Sequence, residues 1–185
     1  MSQTLPERVR WTTADLELLP DDGWKRYEIV DGELFVTKAP HFRHQTVIRN
    51  ICSVLSQQNS GEAIPNPGVI FSDADNVIPD VVWVSRDRLP LITDEAGHFI
   101  SAPELIIEVL SPGATNERRD REAKLKLYSS QGVQEYWIVS RELQQVEVYR
   151  RENAILKRAV TYLAQDTITS PLLPGFECRV EKFFA

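Results

Sequence analysis

The segment Leu105-Ile106-Ile107-Glu108-Val109-Leu110 constrains this chain most: five apolar residues enclose one carboxylate, and Ser111-Pro112-Gly113 then stops the run. Short apolar runs bounded by turn residues read as strands buried on both faces. Glu117 to Ser130 follows with a helical pattern stopped by Gly132, and Glu135 to Ser140 returns to strand character. Strand, helix and strand in succession across residues 103 to 140 predict a crossover unit in a mixed sheet.

The flanking pattern extends that sheet. Thr12-Thr13 before Ala14 to Leu19 and Pro20 predicts a short capped helix. Tyr27 to Val30 and Leu34 to Thr37 flank Asp31-Gly32, a favoured pair for a tight hairpin turn. Residues 41 to 59 place His44, Val47, Ile48, Ile51, Cys52 and Leu55 at steps of three and four, the stripe of an amphipathic helix. Gly68 to Ser72, Val77 to Ser85 and Pro103 to Leu110 are expected at the centre of the sheet. Val146 to Arg150 and a weaker Ile155 to Tyr162 continue it, while Phe176 to Phe184 is too short to assign. With no repeat and no Gly/Ser linker, residues 1–185 are expected to form one domain.

Composition bounds the function without naming it. Hydrophobic residues make up 42% and charged residues 26%, ordinary for a globular protein. Cys52 and Cys178 belong to no metal-ligand spacing and read as reduced thiols, which favours the cytoplasm. The N-terminus MSQTLPERVRW lacks an apolar leader region, and no stretch reaches membrane-spanning length, so no membrane association is expected. A net charge of -6 argues against non-specific coating of nucleic acid, but a nuclease needs only a local basic surface.

Pro79-Asp80 opens the strand continuing as Val81-Val82-Trp83-Val84, so Asp80 and Glu108 both interrupt sequence that looks buried. An ionised carboxylate there is costly unless it is paired, hydrogen-bonded or bound to a cation. Two strand carboxylates, helped by a backbone carbonyl such as that of Val109 and by waters, form the oxygen-rich site that Mg²⁺ or Mn²⁺ prefers. That ion can activate water against a phosphodiester. The alternative is that each carboxylate pairs separately with an arginine.

The chain resembles the PD-(D/E)XK nucleases, in which an Asp is followed by a Glu or Asp and then by a Lys two positions later. Asp80 and Glu108 fit that order, but Leu110 stands where the lysine should. The chain is more closely similar to the Uma2 family, a bacterial branch in which the lysine has moved to the next helix. YEIVDGEL at 27 to 34, His44, PDVVWV at 79 to 84, ELIIEVLSP at 104 to 112, DREAKLKLY at 120 to 128 and GVQEYWIV at 132 to 139 carry the likeness. It implies an α/β fold with a restriction-endonuclease-like core: a central mixed sheet flanked by helices, with an N-terminal hairpin.

Lys124 is the candidate for the displaced lysine. Asp120, Lys124 and Tyr128 recur at steps of four and share a helix side with Leu127, a side expected to face inward. A buried lysine needs a carboxylate partner, and Glu108 is the one the crossover brings near. The alternative is a surface lysine paired with Asp120. Glu28 alternates with Tyr27 and Ile29 and so points toward water, although the resemblance makes it a further acidic member of the site. His44 reads equally as a core histidine and, through the resemblance, as a site residue. Tyr128 reads as packing with a satisfied hydroxyl. Arg118, Arg119, Arg121, Lys124 and Lys126 make one helix basic, either as a phosphate contact or as a solvated face.

The leading expectation is a Mg²⁺- or Mn²⁺-dependent endonuclease acting on DNA. The alternatives are an inactive member of the fold serving as an interaction subunit, and a hydrolase of another phosphate ester. By fold analogy a homodimer is expected, with Trp137 or the Phe183-Phe184 tail as exposed apolar contacts.

Overall fold

The computed structural model describes residues 9–21 and 23–185, so the leader reading of residues 1–8 lies outside the described residues. The fold is mixed α/β. A helical turn α1 (Thr13–Leu16) precedes a hairpin of β1 (Lys25–Val30) and β2 (Glu33–Lys38). Thr12 closes the start of α1, its backbone N–H and hydroxyl both donating to Asp15 at 2.7 and 2.8 Å. Asp31 and Gly32 turn the hairpin with φ of 50° and 72°, the left-handed pair that a two-residue turn of this kind requires.

Helix α2 (Phe42–Leu55) follows, then β3 (Gly61–Pro65), β4 (Val69–Ser72), β5 (Asp75–Val77), β6 (Val81–Ser85) and β7 (Leu105–Val109). The crossover from β7 is one continuous helical path in three pieces: α3 (Ala114–Arg118), a π-helical stretch (Arg119–Lys124) and α4 (Leu125–Gln131). Gly132, at φ 93°, caps it in the left-handed region. The chain continues as β8 (Glu135–Ser140), β9 (Gln145–Glu152), β10 (Ile155–Leu163), β11 (Thr167–Thr169) and β12 (Glu177–Arg179).

A six-stranded sheet runs β10-β9-β8-β7-β6-β3, and a four-stranded sheet runs β2-β1-β5-β4. β7 and β8 are parallel neighbours and the other pairs of the larger sheet are antiparallel, so the crossover lies within a mixed sheet. The strand expected over Val77 to Ser85 is instead two strands in two sheets, because Pro79 has no N–H to continue a ladder. β4 accordingly lies at the edge of the smaller sheet and not at the centre of the larger one. β3 and β12 carry no clear apolar alternation, and pairing makes them strands.

Alternate residues of the large sheet feed two cores. Val81, Trp83, Leu105 and Ile107 pack with Val47, Ile51 and Leu55 of α2. Val82, Val84, Ile106 and Ile138 pack with Leu127 and Tyr128 of α4, and half-buried Leu110 joins that side. Trp137 and Phe183, expected as exposed interface residues, are fully buried; their rings stack 6.3 Å apart because the tail folds back over the sheet. Phe184 is half-buried against the same core. Cys52 and Cys178 are free thiols. No helix among the described residues is long and apolar enough to cross a membrane.

Candidate functional site

The β6–β7 register pairs Val81 with Ile107 and Val82 with Ile106, so one step further places Asp80 opposite Glu108. Both fall on the even-numbered face, the one covered by the crossover helix. Asp80 Oδ2 accepts the Val109 backbone N–H at 2.8 Å and lies 3.2 Å from His44 Nε2. The same Nε2 is 2.8 Å from the Val109 carbonyl oxygen. A carbonyl only accepts, so Nε2 carries the proton, and Nδ1 is buried with no partner.

Glu108 Oε1 accepts from Lys124 Nζ and from the Tyr128 hydroxyl, each at 2.8 Å. Lys124 Nζ also lies 2.7 Å from Glu28 Oε1 and 4.0 Å from Asp120 Oδ1. Arg119 grips Asp120 through two donors at 2.8 and 3.2 Å and stands 3.6 Å from Glu28 Oε2. Glu28 Oε1 further accepts the Ile78 N–H at 2.8 Å, which ties the hairpin to the point where the chain changes sheets. The π-helical stretch contributes Arg119, Asp120 and Lys124 to this cluster, all buried. Its wider turn is a deviation that recurs at functional sites.

Glu28, Asp80, Glu108 and Asp120 are thus four buried carboxylates facing two buried cations, Arg119 and Lys124. Burial pushes the Glu108 carboxyl up to about 8, with Lys124 pulling against it. Burial lowers Lys124 as well, yet Glu108, Glu28 and Asp120 hold it above its ordinary value, so the ammonium stays charged. The surplus of negative charge is relieved by a proton on Glu108. Asp80 moves the other way: burial works to raise it, but the bonds and charge of His44 and the Val109 N–H leave it below its ordinary value. Burial works to lower His44, and Asp80 and the Val109 carbonyl leave it raised.

These shifts predict the pH dependence of the metal-free protein. Glu108 stabilises the fold fully below its ordinary 4.5 and loses that contribution as pH rises toward about 8. His44 acts in the same sense, full below 6.5 and lost as pH rises through its raised value. Asp80 stabilises above 3.8 and is lost only in acid. Melting temperature in chelator should therefore fall from about pH 5 to above 8, and Glu108→Gln should flatten the fall. A rise across that range would contradict the charge surplus.

The structure brings Asp80, Glu108, Val109, Lys124, Glu28 and His44 together around one cleft of about 350 Å³. Glu28 does not point to water: β1 is covered on the face it shares with the crossover helix, and Glu28 is 3% exposed. Lys124, 1% exposed, is 2.8 Å from Glu108 and 4.0 Å from Asp120, so its main partners are Glu108 and Glu28. The five cations of the crossover helix form no single basic face. Arg119 and Lys124 are buried, Arg121 bonds Glu147, Arg118 pairs with Glu122, and Lys126 lies 3.9 Å from Asp31. Arg26 and Arg119 line the cleft; Arg26 was not singled out from sequence, and Arg119 only as one of the five cations of a basic helix. An arginine followed by an aspartate signals nothing until the helix buries both.

Among the described residues no group of three or more His, Cys, Asp and Glu side chains is arranged to hold a metal ion. The donor set nonetheless fits a hard cation. One atom, His44 Nε2, reaches both Asp80 Oδ2 and the Val109 carbonyl oxygen, so those oxygens converge, and Glu108 stands opposite Asp80 in the register.

A family model described as "Putative restriction endonuclease", Uma2, matches residues 13–181. The fold is similar to a crystal structure of a putative nuclease belonging to DUF820 from Anabaena variabilis. That likeness has a TM-score of 0.74 and 20% identity, and covers 94% of this chain and 97% of the other. No curated protein matches the chain.

Proposed function

The chain belongs to the Uma2 family, whose members are described as putative restriction endonucleases, and we propose that it is a metal-dependent endonuclease hydrolysing phosphodiester bonds in DNA. The observation that carries this reading is that Asp80 and the Val109 carbonyl meet on one His44 nitrogen at the end of two paired strands, with Glu108, opposite Asp80 in the register, bonded to a buried lysine. Two carboxylates and a carbonyl suit Mg²⁺ or Mn²⁺, which keep several waters and bind through few protein groups. The ion would supply an activated water and charge neutralisation at the phosphate. Asp80 and Glu108 would hold it.

The chain's own groups do the remaining work. Lys124 fixes the Glu108 carboxylate and presents positive charge where phosphorane charge develops. Glu28 fixes the ammonium from the other side at 2.7 Å, and Tyr128 adds a second bond to Glu108. His44 ties Asp80 to the Val109 carbonyl and so keeps the ligand oxygens together.

The test is direct. Purified protein with Mg²⁺ or Mn²⁺ is expected to nick or linearise plasmid, or to cut single-stranded or branched DNA, and to stop in chelator. If all three substrates stay intact with either ion, the protein is a non-catalytic member of the fold.

A further inference from the structure

The mouth of the cleft carries a cation that the chemistry above does not use. Arg26 lies on β1 two residues before Glu28, so both side chains leave the same face of the strand. Glu28 runs in to Lys124, while Arg26 lines the cleft with its side chain 30% exposed. The Arg26 guanidinium donates to Asn66 Oδ1 at 2.8 Å and stops 4.0 Å from Asp80 Oδ1. Asn66 is itself fixed: its φ is 50°, and its backbone N–H donates to the Asp80 carbonyl at 3.0 Å. Asparagine tolerates that left-handed backbone better than most residues, so the turn can set an amide oxygen at this point.

A counter-ion for Asp80 would be built differently. Arginine pairs a carboxylate through two short parallel bonds, as Arg119 does with Asp120 at 2.8 and 3.2 Å. Arg26 is held beside Asp80 and not upon it, and among the described residues no further side-chain acceptor takes its donors. An anion entering this cleft meets Glu28, Asp80 and Glu108, and needs a cation that is not already committed. Lys124 and Arg119, with side chains 1% and 9% exposed, are bonded to carboxylates. Arg26 is the exposed guanidinium next to the carboxylates.

We propose that Arg26 is the anchoring residue for a phosphodiester anion in this cleft, with Asn66 as the residue that positions it. The choice of a phosphodiester rests on the nuclease reading. The planar guanidinium matches two phosphate oxygens, whereas a lysine could offer only a point charge.

The test is calorimetry with thymidylyl-(3′→5′)-thymidine, which carries one phosphodiester and no terminal phosphate, in Ca²⁺ so that turnover is not required. Arg26→Ala should weaken binding about tenfold or more, the scale of a charge-assisted bond to phosphate. Arg26→Lys should recover part of that loss, and Asn66→Ala should lose less than Arg26→Ala. The uncharged methylphosphonate analogue should bind wild type as weakly as Arg26→Ala binds the dinucleotide. If Arg26→Ala fails to fold, the methylphosphonate comparison on wild type and the Arg26→Lys variant still decide. Equal binding by wild type and Arg26→Ala, indifference to the phosphonate, or no binding by wild type would each overturn the proposal. If binding follows the expected order while DNA remains uncut, the anchor stands and the cleavage reading alone fails.

Discussion

Lys124→Met is expected to lower the free energy of unfolding by about 3–5 kcal/mol, the range for removing one partner of a buried ion pair. Methionine keeps the length and the apolar stem, so packing changes little and the loss is chiefly electrostatic. Without the ammonium, Glu108 keeps the Tyr128 hydroxyl and Glu28 keeps the Ile78 N–H, but the buried Glu28 carboxylate loses its nearest cation and the protonated Glu108 loses a hydrogen-bond donor. Urea denaturation measures the effect, and Glu28→Gln in the same chain should recover part of it because the uncompensated charge is gone. A loss below about 1 kcal/mol would place Lys124 among ordinary surface pairs. Activity should fall by at least about 100-fold, since the charge acts on the transition state. Mn²⁺ affinity should be unchanged or tighter, because a positive charge has left the neighbourhood of the ligands. That opposition between turnover and metal binding separates a lysine that serves chemistry from one that serves the metal site.

The placement of Lys124 was legible because its evidence is local. Steps of four from Asp120 to Tyr128 put it on the side of a helix expected to face inward, and the crossover from β7 returns that helix across the sheet, where it could approach Glu108. Asp80 and Glu108 were legible for the same reason, each being a charge inside an apolar strand. Glu28 failed because alternation predicts orientation only for a strand with one face in water, and Glu28, Ile29 and Val30 are all buried. Trp137 failed because its cover comes from Phe176 and Phe183, about forty residues later. Pro79 marked a strand boundary that the surrounding valines and isoleucine concealed. Arg26 had no local signal at all: its place depends on Asn66, in another loop, whose own N–H is fixed by Asp80.

Asp80→Asn is expected to abolish both metal binding and cleavage while leaving the fold in place. The amide oxygen of asparagine can still accept the Val109 N–H that Asp80 Oδ2 accepts at 2.8 Å, and it can still face His44 Nε2 at 3.2 Å. What disappears is the negative charge, and with it the one carboxylate of the pair that lies below its ordinary pKa and so is ionised at neutral pH before a cation arrives. Glu108, pushed up to about 8, cannot substitute without first giving up its proton. Calorimetry should show Mn²⁺ affinity falling at least about 100-fold, more than is lost when only a group bonded to a ligand is removed. The melting temperature in chelator should change far less than for Lys124→Met, because Asp80 leaves no buried cation stranded: His44 can shed its proton, and Arg26 retains Asn66. Should Asp80→Asn bind Mn²⁺ as wild type does, the ion is held elsewhere and the site built on Asp80 and Glu108 is wrong, whatever the nuclease assay shows.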